Sequence, residues 1–225
     1  MNGKPEVIYV GDPMCSWCWG MAPVLHHVAG RDDVGFRVVV GGLRPGPSAQ
    51  PLDDSLRAML AHHWEKVAEV SGQLFDTDVL AREGWIYDTE MPAIAVTTMR
   101  HHAPAETLRF FTDLQRAFYS DGVDITDRRA YPQLLDGYDV EPGEFLAQMA
   151  SPDGRTRAWQ DFAEARRLGV QGFPTVLLEV DGGTQVLSRG YADRSHFDDQ
   201  LGYWVEGRLP DAADAGTCSL DTGVC

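Results

Sequence analysis

The stretch Gly11-Asp12-Pro13-Met14-Cys15-Ser16-Trp17-Cys18-Trp19-Gly20 sets two cysteines three positions apart, directly after the apolar run Val7-Ile8-Tyr9-Val10. The β-branched and aromatic residues of that run predict a buried strand. Beyond Cys18, residues Met21, Val24, Leu25 and Val28 recur at helical spacing, so the pair stands where a strand hands over to a helix. Unpaired N–H groups and the positive dipole end of a helix stabilise a thiolate, which is the nucleophile of thiol–disulfide exchange. Cys15 is therefore the expected attacking thiol, and Cys18, one turn further in, the more buried thiol that resolves the mixed disulfide. Cys-x-x-Cys is also a zinc-ligand spacing, with Cys218 and Cys225 as the remaining ligands. Against zinc, a knuckle usually lies in a turn between short strands, and the second pair is spaced too widely to form another.

Working outward, Gly35 to Gly42 reads as a second strand, dense enough in β-branched residues to be central in a sheet, and the run from Gly41 to Pro47 then breaks all regularity. From about Pro51 to Leu168 the pattern is helical. Leu56, Met59, Leu60, Trp64, Val67 and Val70 form a stripe closed by Gly72, and Asp88 or Thr89 can cap a helix with Pro92 in its first turn. Leu108, Phe111, Leu114 and Phe118 form another, Thr126 can cap a segment holding Leu134 and Leu135, and Pro142 and Pro152 suit first turns of two more helices. Strand character returns over Thr175 to Val180 and Gln185 to Ser188, joined by an Asp181-Gly182-Gly183 turn, before a closing helix from about Asp193 to Glu206. The order β-α-β, helices, β-β-α describes one α/β core interrupted by a helical insertion. The expected division is a first half at 1–48, the insertion at 49–168, the second half at 169–207 and a cysteine-containing tail at 208–225.

Composition narrows the function. Of 225 residues, 44% are apolar, enough for a core without disulfide staples. The 34 acidic against 19 basic residues give a net charge of −15, which argues against nucleic acid or an anionic membrane as partner. No cleavable apolar segment precedes the first strand and no run of about 18 apolar residues occurs, so a cytoplasmic location is expected, where a cysteine pair is more often catalytic or metal-binding than structural. The adjacent pairs His26-His27, His62-His63 and His101-His102 point about 100° apart on a helix and cannot chelate together.

A second constellation, Gly169-Val170-Gln171-Gly172-Phe173-Pro174-Thr175-Val176-Leu177-Leu178, puts a proline directly before an apolar strand. Local evidence favours an ordinary trans proline opening that strand. Together with Cys15-Ser16-Trp17-Cys18, with Pro23 five positions on and with the later hairpin and Gly190, however, this segment resembles the cis-proline loop of the thioredoxin fold. The helical insertion is similar to that of the DsbA family, and Asp12 to Gly20 look most like its cytosolic FrnE-type branch of predicted protein disulfide isomerases. The resemblance spans roughly residues 5 to 207. It implies a cis Pro174 packed on the cysteine pair, excluding metal from it, and a Phe173 backbone that pairs with an extended substrate beside Cys15.

The departures carry information too. Thioredoxins proper hold a buried acid in the first strand where this chain has Tyr9, and strongly oxidising DsbA proteins have a histidine between the cysteines where this chain has Ser16-Trp17. A less extreme thiolate and a less oxidising couple are expected. Asp12, the only nearby carboxylate, is either a proton relay to Cys18 or a turn-former before Pro13. Met14 and Trp17 suggest an apolar surface for protein or peptide substrates, with Trp17 exposed and Trp19 in the core. Cys218 and Cys225 are either a second redox pair exchanging with Cys15 and Cys18 or incidental tail thiols.

These features predict a thiol–disulfide oxidoreductase, a reductase or isomerase of disulfide-containing proteins or peptides, with glutathione as a small partner and no cofactor or metal. Two rivals remain. Kappa-class glutathione transferases and hydroxychromene-carboxylate isomerases resemble this layout but place a serine at the Cys15 position. The other rival is a non-catalytic metal-binding or chaperone module. The oligomeric state is left open.

Overall fold

Val7 and Tyr9 face one side of the first strand and Ile8 and Val10 the other, and all four are fully buried, so this strand must be covered on both faces. In the computed structural model, which describes residues 4–180 and 183–205, it is β1 (Glu6–Gly11), inside a four-stranded sheet. The helix α1 (Ser16–Ala29) carries the chain over to β2 (Gly35–Val40), which runs parallel to β1, as a β-α-β crossover allows. β5 (Thr175–Val180) lies antiparallel on the other side of β1, and β6 (Gly183–Arg189) is antiparallel to β5. The spatial order β2-β1-β5-β6 is the expected thioredoxin-type sheet. Of the expected hairpin turn, Asp181 and Gly182 lie outside the described residues, as do Cys218 and Cys225.

Between the halves run β3 (Gln50–Pro51), α2 (Asp54–Ser71), β4 (Ile86–Tyr87), α3 (Glu90–His102), α4 (Thr107–Tyr119), α5 (Tyr131–Leu134), α6 (Pro142–Met149) and α7 (Pro152–Arg167). The chain then closes, after β6, with α8 (Arg194–Val205). Asp53 caps α2 by accepting from Leu56 N–H and Ser151 caps α7 by accepting from Gly154 N–H, while Gly72 ends α2, as its place in the sequence predicts, with φ +74°. The expected cap Thr126 is displaced. Its hydroxyl donates to Asp124, Asp127 accepts from Arg129 N–H, and the segment is a 3₁₀ turn leading into the short α5. Val70, read as part of the α2 stripe, is 45% exposed, and β3 and β4 add a small antiparallel ribbon to the helical segment.

Three features position the cysteine pair. Pro23 inside α1 lacks the N–H that would reach the Trp19 carbonyl, and the Gln73 side chain donates to that carbonyl instead at 2.9 Å. Gly20 faces Val67 so closely that a Cβ would crowd it, which lets α1 and α2 approach. α7 covers the second face of the sheet through Ala165 and holds the outer edge of β2. There Asp161 accepts from Val40 N–H at 3.0 Å, while Arg100 donates to the Val38 carbonyl at 2.8 Å and pairs with both Asp161 oxygens. This ion pair satisfies backbone groups that a further strand would otherwise claim.

Candidate dithiol site

The turn from β1 into α1 makes Cys15 the N-cap residue of α1, with extended φ −92° and ψ 117°. Its N–H donates to the Asp12 carbonyl at 3.0 Å and its carbonyl accepts from Trp19 N–H at 3.1 Å. No acidic side chain stands in the first turn of α1 to offset the positive end of the helix. Cys15 and Cys18 are 2% and 0% exposed.

From 158 residues further along the chain, Phe173 brings its carbonyl to within 3.6 Å of Cys15 Sγ, which donates to it. The Phe173–Pro174 peptide is cis. Pairing of β1 with β5 forces this meeting, because the cysteine turn follows the end of β1 and the proline precedes the start of β5 in the antiparallel register Val10 to Thr175. The Phe173 ring occupies the space a Cβ would take at Gly41, directly after β2. Gly42, at φ +74°, then turns the chain against Phe162.

Asp12 is fully buried and ties two loops together, accepting from Met14 N–H at 2.9 Å and Leu43 N–H at 2.8 Å. Burial pushes its carboxyl up from 3.8 to about 6, against the lowering influence of the Leu43 and Met14 N–H groups, Thr89 and Arg44. The turn-forming role expected of Asp12 is thus present in its Met14 bond. Met14, expected at the surface, is instead fully buried. Its carbonyl accepts from the Tyr87 hydroxyl, which draws the residue beneath the thiols. Trp17 is half-buried with its ring 6.0 Å from that of Tyr191, and Trp19 is in the core, stacked on Tyr119. A cleft opens beside Cys15 and Ser16, walled by Leu43, Arg44, Met59 and His63.

Beneath the pair lie three buried phenols, Tyr9, Tyr87 and Tyr119. Burial raises all three above the ordinary tyrosine value; the neighbouring thiols and Asp12 raise them further. The phenols therefore stay neutral and cannot act as bases. The adjacent histidines diverge, His26 meeting Thr112 Oγ1 and His27 meeting Asp198. Among the described residues no three His, Cys, Asp or Glu side chains converge as a metal-ligand set.

Sequence reasoning missed Gly41, Arg44, Tyr87 and Tyr191. The glycine doublet after β2 was the visible signal for the first of these. Tyr87 sits in a strand of two residues and carried none.

A candidate protein disulfide isomerase from Nitrosomonas europaea superposes with a TM-score of 0.82 at 29% identity, over 91% of this chain and 98% of that one. The cytosolic disulfide reductase DsbM of Pseudomonas aeruginosa does so with 0.74 at 25% identity, over 90% and 98%. Among curated proteins, the ClpXP adapter protein SpxH of Halalkalibacterium halodurans is 24% identical over 189 residues, and that of Bacillus subtilis 24% over 178. These matches take in 79% and 77% of this chain but 60% and 58% of the relatives, so the chain spans about three-fifths of their length. Residues 6–201 match the family model of the DSBA-like thioredoxin domain, and with its cis-proline loop, β2-β1-β5-β6 sheet and helical insertion the chain belongs to that family.

Proposed function

We propose that this protein is a thiol–disulfide oxidoreductase of the cytoplasm, reducing or isomerising disulfides in proteins or peptides, with glutathione as a small-thiol partner. The observation that carries the reading is Cys15 Sγ at the N-terminus of α1, 3.6 Å from the Phe173 carbonyl of the cis-proline loop. Cys15 as thiolate attacks one sulfur of a substrate disulfide; a bond forms to Cys15 Sγ, the substrate S–S bond breaks, and the departing thiolate takes a proton from water. Cys18 then loses its proton to water and attacks Cys15 Sγ, closing the Cys15–Cys18 disulfide and expelling the second substrate thiolate, so the dithiol gives up two electrons to the substrate. An external thiol restores the dithiol.

Phe173 and Pro174 align the substrate chain, Trp17 and Ser16 border the approach to Cys15, Met14 supports the turn from below, and Cys218 with Cys225 form a second exchanging pair. Support for glutathione comes from DsbM, for which a structure with GSH exists. A second buried thiol in the first turn of α1 favours dithiol exchange over a transferase that only activates glutathione.

The test is insulin reduction with dithiothreitol as the external thiol, with metal analysis on the same samples. Cys15→Ser and Cys18→Ser should each lose more than 90% of the rate, and replacing Cys218 and Cys225 together should slow turnover severalfold. Bound zinc in the wild type, or full activity in Cys15→Ser, would overturn the proposal.

A further inference from the structure

Tyr9 stands in the middle of β1, fully buried, with its ring edge-on to Phe111 at 5.4 Å and its hydroxyl so close over Gly11 that no Cβ would fit there. The hydroxyl has no aligned hydrogen-bond partner among the described residues, and it shares one buried cluster with Cys18, the neighbouring group whose charge bears most on it. A buried donor left unpaired is costly, and a strand position packed this tightly accepts phenylalanine equally well by shape. The oxygen is therefore the part of the side chain that packing does not explain.

We infer that the Tyr9 hydroxyl is the hydrogen-bond donor that stabilises Cys18 when its sulfur carries negative charge during exchange, an assignment that rests on the dithiol reading of the site. Cys18 bears that charge twice. It is charged as nucleophile when it attacks Cys15 Sγ and forms the intramolecular disulfide. It is charged again as leaving group when a substrate thiolate attacks Cys15 Sγ in the reverse direction and the Cys15–Cys18 bond breaks. In both cases the charge develops at a sulfur with no exposure to water, where a single aligned O–H donor is worth far more than at the surface. The Tyr9 phenol keeps its proton throughout, because burial and the neighbouring thiols hold it well above the ordinary tyrosine value. The Cys18 proton ends in bulk solvent, and the expelled thiolate takes one up from it. In the neutral dithiol the hydroxyl has nothing comparable to donate to, which accounts for its unpaired state. Other groups that feel this charge are Cys15 on the same helix, Asp12 at the end of β1 and Tyr119 on α4.

Reaction of the reduced protein with 5,5′-dithiobis(2-nitrobenzoate) separates the two thiols. Cys15 attack releases the first thionitrobenzoate, and Cys18 attack on the resulting mixed disulfide releases the second. With Cys218 and Cys225 replaced by serine, stopped-flow traces should show these two phases. Tyr9→Phe should leave the first phase within twofold, slow the second about threefold at pH 7, and move its pH midpoint up by about one unit, since a roughly tenfold loss of thiolate is offset about threefold by the greater nucleophilicity of the more basic sulfur. Asp12 titrates in both proteins and cancels in the comparison. Removing an unpaired oxygen should also leave the melting temperature of the reduced form unchanged or higher. A second phase unchanged in rate and midpoint, an equal slowing of both phases, or a lower melting temperature would each overturn the inference. If the wild type itself shows no second phase, the dithiol mechanism fails instead.

Discussion

At the scale of single residues, Asp12 shows how a short-range and a long-range role share one side chain. Its bond to Met14 N–H, two positions on, is local turn chemistry and is legible in the sequence; its bond to Leu43 N–H, across 31 residues, depends on β1 and β2 lying side by side and is not. Together they place a carboxylate in a fully buried position, and burial raises it from 3.8 to about 6. A folded-state value above the unfolded one means that the protonated form folds best. The contribution is fully present below pH 3.8 and is lost as pH rises through 6. At about 1.36 kcal/mol for each pH unit between those values, the loss is about 3 kcal/mol. Asp12→Asn removes the titration while giving up one of the two accepted bonds. Urea denaturation should therefore find the variant well below wild type at pH 3.5 and the gap narrower by about 3 kcal/mol at pH 7. A gap independent of pH would mean that Asp12 ionises at its ordinary value.

At the scale of elements, the junction of β2 with the proline loop sets how Phe173 is seated beside Cys15. Gly41 follows the last residue of β2, and the Phe173 ring fills the place of its missing Cβ, so the loop bearing Pro174 is seated on a glycine of another strand. Gly41→Ala must push the ring aside. We expect a cost of about 1–3 kcal/mol in denaturant unfolding, typical of overpacking. Insulin reduction should fall severalfold while the first thionitrobenzoate phase, which needs only Cys15, changes less than twofold. Equal losses in both assays would place the effect in global stability rather than in the seating of the loop. The same junction separates what the sequence reveals from what it hides. β1, β2 and β5 are legible because β-branched residues crowd them, and α2 and α7 because Gly72 marks the end of the one and Pro152 the start of the other. The β3–β4 ribbon has no periodicity to read, since each strand is two residues long. The cap expected at Thr126 loses to Asp127 because Asp124 captures the threonine hydroxyl at 2.6 Å, a competition between neighbours that a single-residue preference does not resolve. Met14 looked like surface because it flanks the thiols in sequence, whereas the Tyr87 hydroxyl on its carbonyl holds it inside.

At the scale of the whole molecule, the thiol pair and the sheet form one thermodynamic object. Any difference in unfolding free energy between the dithiol and disulfide forms equals the difference between the potential of the folded site and that of the same two cysteines in the unfolded chain. Three features favour the dithiol: the open N-terminus of α1, the Phe173 carbonyl that accepts from Cys15, and the Tyr9 hydroxyl inferred to serve Cys18. Ser16-Trp17 supplies no cation between the cysteines, and Asp12, ionised at neutral pH, opposes negative charge on either sulfur. From this balance we expect a couple below the roughly −120 mV of DsbA and above the roughly −270 mV of thioredoxin. Equilibration with glutathione buffers, followed by tryptophan fluorescence on the chain lacking Cys218 and Cys225, measures that value directly. Urea unfolding of the two redox forms measures it again, with 30 mV corresponding to about 1.4 kcal/mol. Agreement between the two, inside this window, is the expected outcome. A potential as high as that of DsbA would mean that the site stabilises its thiolate without a residue between the cysteines to do so, and that neither Ser16-Trp17 nor Asp12 holds the couple down.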